Sequence, residues 1–485
     1  MPRQPVQQSR VQQSPVPQSP WKIVALVSIG ASMSSLDLTL MFVAFPEIQK
    51  DFPGVPRAEI SWVLTSFTIV AAALLIPAGR FADRLGRKRV FLSSLLLFTI
   101  GSALVALAPT VPLIIAARVV QAVGGAMLTP SSLAIIMSTI EPERRSTAIG
   151  TWSAISGTVT SAAPTVGAAA IEFGSWRWAF FIVVPIGLIC FFIGRRWLVE
   201  SIDEDAGPLP DPFGSVLVFV GVAALAFAIV QSREWGWLDQ RTAATLSFAA
   251  VVGLVFIWRC THHPVPVINI SIFRTGSFRA NASAALVIGC AFWGVYGVLV
   301  VFLTRGWGYS VMKAGLLLTP MTFASTLTSF KGGVLMDRHG HRAVMIPSAA
   351  CFSIGAFLLL FLAGDKPNIL FVWIPAALLI GFTSSVYFTG VNSAASRMAP
   401  PEHFGVVAGV IQTLIRIGGA TGAAFGVTLV ADVKTGDGVG GFHTAWWALA
   451  AAGGICMVLA WPLKTKTNPR PTSSTAAEPA TVNLS

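Results

Sequence analysis

The chain has 485 residues, of which 54% are hydrophobic and only 11% charged, and its mean hydropathy is +0.72. Soluble domains carry roughly 25% charged residues, so this composition excludes a soluble globular protein and leaves no room for a large water-facing domain. A formal charge of +12 would suit a nucleic-acid partner if Lys and Arg formed one face. They fall instead in short clusters between apolar runs, as cytoplasmic anchors do.

Residues 1–20 are rich in Pro, Gln and Ser, with Val-Gln-Gln-Ser occurring twice. Such a segment is too polar and too interrupted by proline to pack, and predicts a disordered tail. A helix needs ~20 mostly apolar residues to cross a ~30 Å hydrocarbon core. Apolar runs bounded by Pro, Gly and charge place fourteen spans near 23–45, 59–79, 90–109, 112–134, 148–171, 178–197, 213–231, 243–259, 281–304, 314–333, 344–363, 369–393, 405–430 and 443–463. The first run is too long for a signal-peptide core and lacks a cleavage site of small residues, so it reads as a retained span. The seventh and eighth are the least marked, parted by a polar turn from Arg233 to Arg241. Residues 464–485 are polar again and predict a second disordered tail. Cys190, Cys260, Cys290, Cys351 and Cys456 lie in or beside spans and form no Cys-x-x-Cys, so they read as core thiols rather than metal ligands or disulfides.

Of the 33 Lys and Arg residues, 22 fall in the tails, the even-numbered loops and the span ends that border them, 9 in the alternate loops and 2 within spans away from their ends. The positive-inside rule then sets both termini in the cytoplasm and the protein in the inner membrane, and the acidic stretch from Glu200 to Asp211 does not bear on it. The chain also repeats itself. Gly79-Arg-Phe-Ala-Asp83-Arg84-Leu-Gly86, followed by Arg87, recurs 254 residues later as Gly333-Val-Leu-Met-Asp337-Arg338-His-Gly340. Each copy follows a span and ends in basic residues. This spacing implies an all-α protein of two pseudo-symmetric six-helix bundles, 21–198 and 261–463, with a two-helix insert and its flanking loop at 199–260, the layout of an alternating-access transporter.

At these residues the chain resembles the major facilitator superfamily, and in particular its fourteen-span drug:proton antiporters, which export quaternary ammonium compounds and other drugs. Leu36-Asp37 through Pro46 is similar to the first-span motif, Gly79 to Arg89 to the loop motif, and Arg118-Val-Val-Gln121-Ala-Val-Gly124-Gly125 to the fourth-span motif. Ser175-Trp-Arg-Trp-Ala-Phe-Phe and Arg233-Glu-Trp-Gly-Trp237 resemble segments of the fourteen-span branch. The fifth-span antiporter motif departs from the pattern: after Gly157 the chain has Ala163-Pro164-Thr-Val-Gly167-Ala168, with alanine where the family has two glycines. Small residues still permit close helix approach, but proton coupling is the property this change puts in question.

Ionisable residues inside a span usually face a cavity or a partner and mark a pathway. Counting at 1.5 Å per residue from Pro46 and Pro112, Asp37 and Arg118 both lie roughly 9 to 14 Å below the outer surface. The resemblance brings spans one and four together beside the cavity, where the two residues would meet. An Arg partner favours the ionised carboxylate and apolar burial the neutral one, so a cavity that wets and dries in turn would make Asp37 a proton carrier. A purely structural ion pair is the plainer alternative. Arg416, in the middle of span thirteen, has no acid at its depth, and Gln412 or backbone carbonyls are candidate partners. Asp83 is expected to accept from the amides opening span three and to pair with Arg84 or Arg87, with Gly79 and Gly86 allowing tight turns, so that the loop latches one conformer. The copy with Gly333, Asp337, Arg338 and Gly340 would be a weaker latch. Pro130, Pro164 and Pro185 are candidate kinks. Gln121, Trp293, Tyr296, Tyr387 and Asn392 are candidates to line the cavity by the resemblance. His262, His263, His339 and His341 read as solvated, with no metal site.

The expected function is export of a lipophilic small molecule, cations among the candidates, in exchange for protons, by a monomer surrounded by membrane lipids and without any cofactor beyond the proton gradient. A uniporter or symporter for a lipid or secondary metabolite is the alternative within transport, and a non-transporting receptor the alternative outside it. No Gly-x-Ser-x-Gly, His-Glu-x-x-His or P-loop is present to suggest an enzyme.

Overall fold

The computed structural model describes residues 19–172, 174–201, 211–398, 404–430, 433 and 439–463. Nearly all of both expected disordered tails, and the acidic stretch before Asp211, lie outside them. Among the described residues all regular structure is helical: α1 (Pro20–Asp51), α2 (Arg57–Leu85), α3 (Arg87–Leu107), α4 (Val111–Thr139), α5 (Arg145–Glu172), α6 (Trp176–Phe181), α7 (Val183–Trp197), α8 (Pro212–Trp235), α9 (Gln240–His262), α10 (Gly276–Val301), α11 (Val311–His339), α12 (His341–Leu362), α13 (Ile374–Met398), α14 (Phe404–Leu429) and α15 (His443–Ala460). Eleven segments are long and apolar enough to cross a membrane, with α6 and α7 joined in one of them. This is a multi-pass membrane protein. The remaining long helices, α2, α5 and α11, have 28 or 29 residues but are more polar, and the apolar part of α2 is Trp62–Ala78.

Several boundaries differ from those read in the sequence. Helix α1 runs through Pro46 to Asp51. The sixth span breaks between Phe181 and Val183, because Pro185 has no N–H for the carbonyl of Phe181 and its ring crowds that carbonyl. Single π-turns, Phe302–Gly306 and Ile369–Trp373, close α10 and open α13. Both copies of the repeated motif, expected in loops, are helical as far as Leu85 and His339. The turn itself is confined to Gly86 at φ 100 and Gly340 at φ 86, a backbone region that only glycine enters cheaply.

Two groups of helices build separate cores. Met33, Phe67, Phe91, Phe98 and Leu133 are buried together among α1–α7, and Phe302, Trp307, Trp373, Phe442 and Trp446 among α10–α15. The groups are joined by α5 with α13 and α4 with α14, and chiefly by α5 with α11 and α2 with α14. Backbones meet there: a Cβ placed on Gly150 would lie 2.5 Å from Ser329 O, and one on Gly409 2.5 Å from Leu75 O. These contacts lie toward the side that carries both motifs, termed the motif side. The opposite side is held by Asp51 at the end of α1, which accepts from Trp176 Nε1 (2.7 Å) and Arg177 Nη1 (2.9 Å), while Arg177 Nη2 reaches Ala108 O. The Ser-Trp-Arg-Trp segment therefore ties together the far ends of α1, α3 and α6.

Helix α8 packs on α2, where Trp62 stacks on Phe227 at 5.7 Å, and a small core of Ile76, Val218, Val267 and Val410 joins it to α14 and the following linker. Asp211 caps α8 through Phe213 N (3.1 Å), takes two hydrogen bonds from Arg259 of α9 (2.5 and 3.0 Å), and lies 3.9 Å from His263. The Arg259 hydrogen bonds hold the Asp211 carboxyl below the usual carboxylate range. A depressed carboxylate stabilises above its unfolded value of about 3.9 and ceases to as pH falls through the folded value. Asp211→Asn is therefore expected to lower the melting temperature by several degrees at pH 7, with the gap from wild type closing below about pH 4. Melts in detergent across this range would check it, and a gap that persists in acid would contradict it.

Candidate functional site: a buried ion pair and a cross-bundle clasp

Helices α3 and α4 approach closely because both lack side chains at the crossing. A Cβ on Gly101 would sit 2.7 Å from Gln121 Cα, and one on Gly124 2.5 Å from Phe98 N, the small-residue packing of membrane helices. This brings Ser102 of α3 against Gln121 of α4, with α1 and α2 alongside. Asp37 and Arg118 meet here, and both side chains are 0% exposed. Arg118 Nη1 donates to Asp37 Oδ2 and to Gln121 Oε1 (2.7 Å), and Gln121 Nε2 donates to Asp37 Oδ1 (2.7 Å) and Ser102 Oγ (2.7 Å). Arg118 Nε donates to Val63 O (3.1 Å), and the guanidinium lies 4.4 Å from the centre of the Phe67 ring. Both carboxylate oxygens are thus satisfied in a dry site, as a buried charge requires. Gln121, expected to line the cavity, is fully buried as the third member of this network. Its i, i+3 spacing from Arg118 was the signal; nothing in the sequence marked Ser102, Val63 or Phe67.

The second cluster lies on the motif side. Asp337, near the end of α11, accepts from Ser146 N (3.2 Å), Thr147 N (2.7 Å) and Thr147 Oγ1 (2.7 Å) at the start of α5, and from Arg397 Nη2 of α13 (2.8 Å). The carboxylate sits on the positive end of the α5 dipole and spans the two helix groups. Gly333 makes this approach possible, because any Cβ there would overlap Ser146 O. Arg397, absent from the sequence reading, is the partner of Asp337, whereas Arg338 is exposed. For the first copy, the surroundings of Gly79 and the side chain of Asp83 lie outside the described residues. The expected capping of α3 by Asp83 therefore falls outside the described residues; among them, Glu200 accepts from Lys88 N (3.1 Å) and Arg89 N (3.2 Å) at the start of α3. Its carboxylate lies against Gly86, where a Cβ would be 2.5 Å away. Glu200 opens the acidic stretch that the sequence reading treated as neutral. Arg87 is buried at the start of α3 and Arg84 half-buried at the end of α2.

The other candidates are dispersed. Tyr387 belongs to the core, not the cavity: it is fully buried and donates to Cys456 O (2.6 Å). Asn392 is buried too, donating to Phe388 O (2.8 Å) and accepting from Gln412 Nε2 (3.0 Å). Only the Nε2 of Gln412 is used in this bond, and Gln412 makes no hydrogen bond to Arg416 among the described residues. Trp293 is 44% exposed and Tyr296 half-buried, within an aromatic group that includes Phe292 and Phe388. In α5, Gly167 faces Leu40 of α1, Ala163 is buried, and Gly157 faces Thr326 of α11. The side chains of Pro164 and Ala168 lie outside the described residues. His341 is not solvated but buried, 2.8 Å from Ser393 Oγ.

The family described as Major Facilitator Superfamily matches residues 27–278 and 281–485. The chain belongs to the major facilitator superfamily. As a member of it, the chain is 30% identical over 400 residues to the Multidrug resistance protein Stp of Mycobacterium tuberculosis, covering 82% of this chain and 73% of that one. It is 28% identical over 419 residues to the Tetracenomycin C resistance and export protein of Streptomyces glaucescens, with 86% and 77% covered. Among solved structures, this facilitator superposes on the human organic anion transporter MFSD10 (TETRAN) with a TM-score of 0.66 at 15% identity, covering 92% of this chain and 100% of that one. At that identity the likeness establishes the fold alone. The relatives are transporters of small molecules, and the chain is a transporter of that superfamily.

Proposed function

We propose that this facilitator is a fourteen-span, proton-coupled exporter of lipophilic small molecules, working as a monomer in the cytoplasmic membrane with both termini and the motif side in the cytoplasm. The observation that carries the reading is Asp37, among the described residues the sole carboxylate in the middle of a span, fully buried and held by Arg118 and Gln121. Neutralising Asp37 removes the countercharge of Arg118, so protonation and conformation are coupled through one ion pair. The proton gradient is the only driver required, at ~2.3 kcal/mol per charge per 100 mV of potential. Names such as multidrug resistance and export among the relatives support the substrate class.

The clasp of Asp337 on α5 keeps the bundles together on the cytoplasmic side and so favours the outward-facing conformer. It shares no residue with the Asp37–Arg118 network. Asp337→Asn is expected to slow turnover severalfold while leaving equilibrium binding of a transported dye unchanged. Binding that weakens as much as transport would refute the clasp.

The purified protein in liposomes tests the function itself. A panel of cationic and anionic dyes should include members that accumulate against their gradients when the lumen is acidified, and a protonophore should collapse that accumulation. Accumulation indifferent to the protonophore, or none across the panel, would overturn the reading.

A further inference from the structure

Charge does not balance at mid-membrane. The spans hold two arginines far from any helix end, Arg118 and Arg416, and one acid, Asp37, which Arg118 and Gln121 occupy. From Gly276 to Leu463 the sequence holds five acids, Asp337, Asp365, Glu402, Asp432 and Asp437; of those among the described residues, Asp337 lies near the end of α11 and Asp365 between α12 and α13. Arg416 lies twelve residues into α14, and its Nε is buried without a hydrogen-bond partner. Gln412, one turn away, gives its Nε2 to Asn392, and its Oε1 makes no hydrogen bond to Arg416 among the described residues. A permanently charged guanidinium in a hydrocarbon layer is sustained by a water-filled cavity or an anion. Helix α14 is cross-bundle here: Gly409, two turns before Arg416 and so on nearly the same face, rests on Leu75 of α2.

One turn the other way stands an aromatic wall. Trp293 packs on Gly419 of the same bundle, where a Cβ would be 2.6 Å from Trp293 Cδ1, and it is 44% exposed. Phe292 and Tyr296 flank it at 5.6 and 6.2 Å. A flat apolar surface beside an unpaired fork of N–H donors suits a planar aromatic molecule with a carboxylate or phenolate. It does not suit a cation, which would find no free acid at this depth.

We infer that Arg416 and Trp293 form a subsite for an aromatic organic anion. The inference rests on the transport reading above and replaces the cationic substrate expected from the resemblance. Equilibrium binding tests it without requiring transport. Fluorescein, an aromatic anion, and ethidium, an aromatic cation, are titrated onto the full-length protein in nanodiscs and followed by anisotropy, in chloride and in gluconate buffer. Fluorescein should bind the wild type. Arg416→Gln should weaken it about tenfold or more, the size of a charge-assisted hydrogen bond, with ethidium changed less than about twofold. Arg416→Lys, which keeps the charge and guards against misfolding of the first variant, should lose only part of the affinity because it lacks the planar fork. Trp293→Ala should weaken both probes. Equal loss of both probes in Arg416→Gln, no fluorescein binding by the wild type, or chloride binding lost in Arg416→Gln with fluorescein unaffected would each overturn the inference. The last would assign the charge to an inorganic counterion. Dye transport with no response to Arg416→Gln would defeat this inference alone, whereas the Arg416→Gln binding effect without proton-driven transport would defeat only the transport reading.

Discussion

Asp37→Asn is expected to abolish accumulation driven by a pH gradient, to below about one hundredth of the wild-type level, while downhill exchange of the same substrate persists. Asparagine keeps the size of the side chain and still accepts from Arg118 or Gln121, so the site remains packed and partly hydrogen-bonded. It loses titration alone. Since no other carboxylate lies mid-span among the described residues, no described neighbour is placed to take over the proton. Parallel measurement of uphill uptake and of labelled-substrate exchange in the same liposomes separates the roles. Loss of both activities in a folded variant would make Asp37 a substrate contact or structural partner. Persistence of both would place the proton elsewhere.

Arg118→Ala should have the larger effect on the folded state. It leaves the Asp37 carboxylate in a dry site with Gln121 as its remaining donor, frees Val63 O, and empties the space over Phe67. Breaking a buried pair by removing one partner costs about 3–5 kcal/mol, enough to lower the melting temperature markedly in detergent. Arg118→Lys should be milder, since the ammonium retains the countercharge but cannot reach Asp37, Gln121 and Val63 O together. The double variant Asp37→Asn with Arg118→Ala should recover part of the loss, because the orphaned charge is gone. A double variant no more stable than Arg118→Ala alone would mean that the ion pair contributes little beyond packing.

Much of this arrangement was legible in the sequence because membrane helices announce themselves by length and apolarity, and because depth can be counted along a regular rise. That count alone put Asp37 and Arg118 level with each other. What the sequence withheld were contacts between residues remote in the chain. Glu200 caps α3 from 112 residues away, and Arg397 pairs with Asp337 from a different helix of the same bundle; neither carries a local signature. The repeated motif pointed to loops, because Gly and Asp usually mark turns, whereas Gly333 serves the close approach of α11 to α5 and only Gly340 turns the chain. The exposure of aromatic residues was equally hidden. Tyr387 and Trp293 sit in similarly apolar runs, yet one donates to a carbonyl in the core and the other faces open space.

Counter-movement of substrate and proton tests the central claim most directly. The purified protein is sealed into liposomes containing a pH-sensitive dye, with no imposed pH gradient and the membrane potential clamped, and a substrate identified from the dye panel is added outside. For the wild type, substrate entry should drive protons out of the lumen, and for Asp37→Asn the same substrate should enter with no change in luminal pH. Proton movement in the variant equal to that of the wild type, or substrate entry by the wild type with no proton movement at all, would contradict coupling through Asp37.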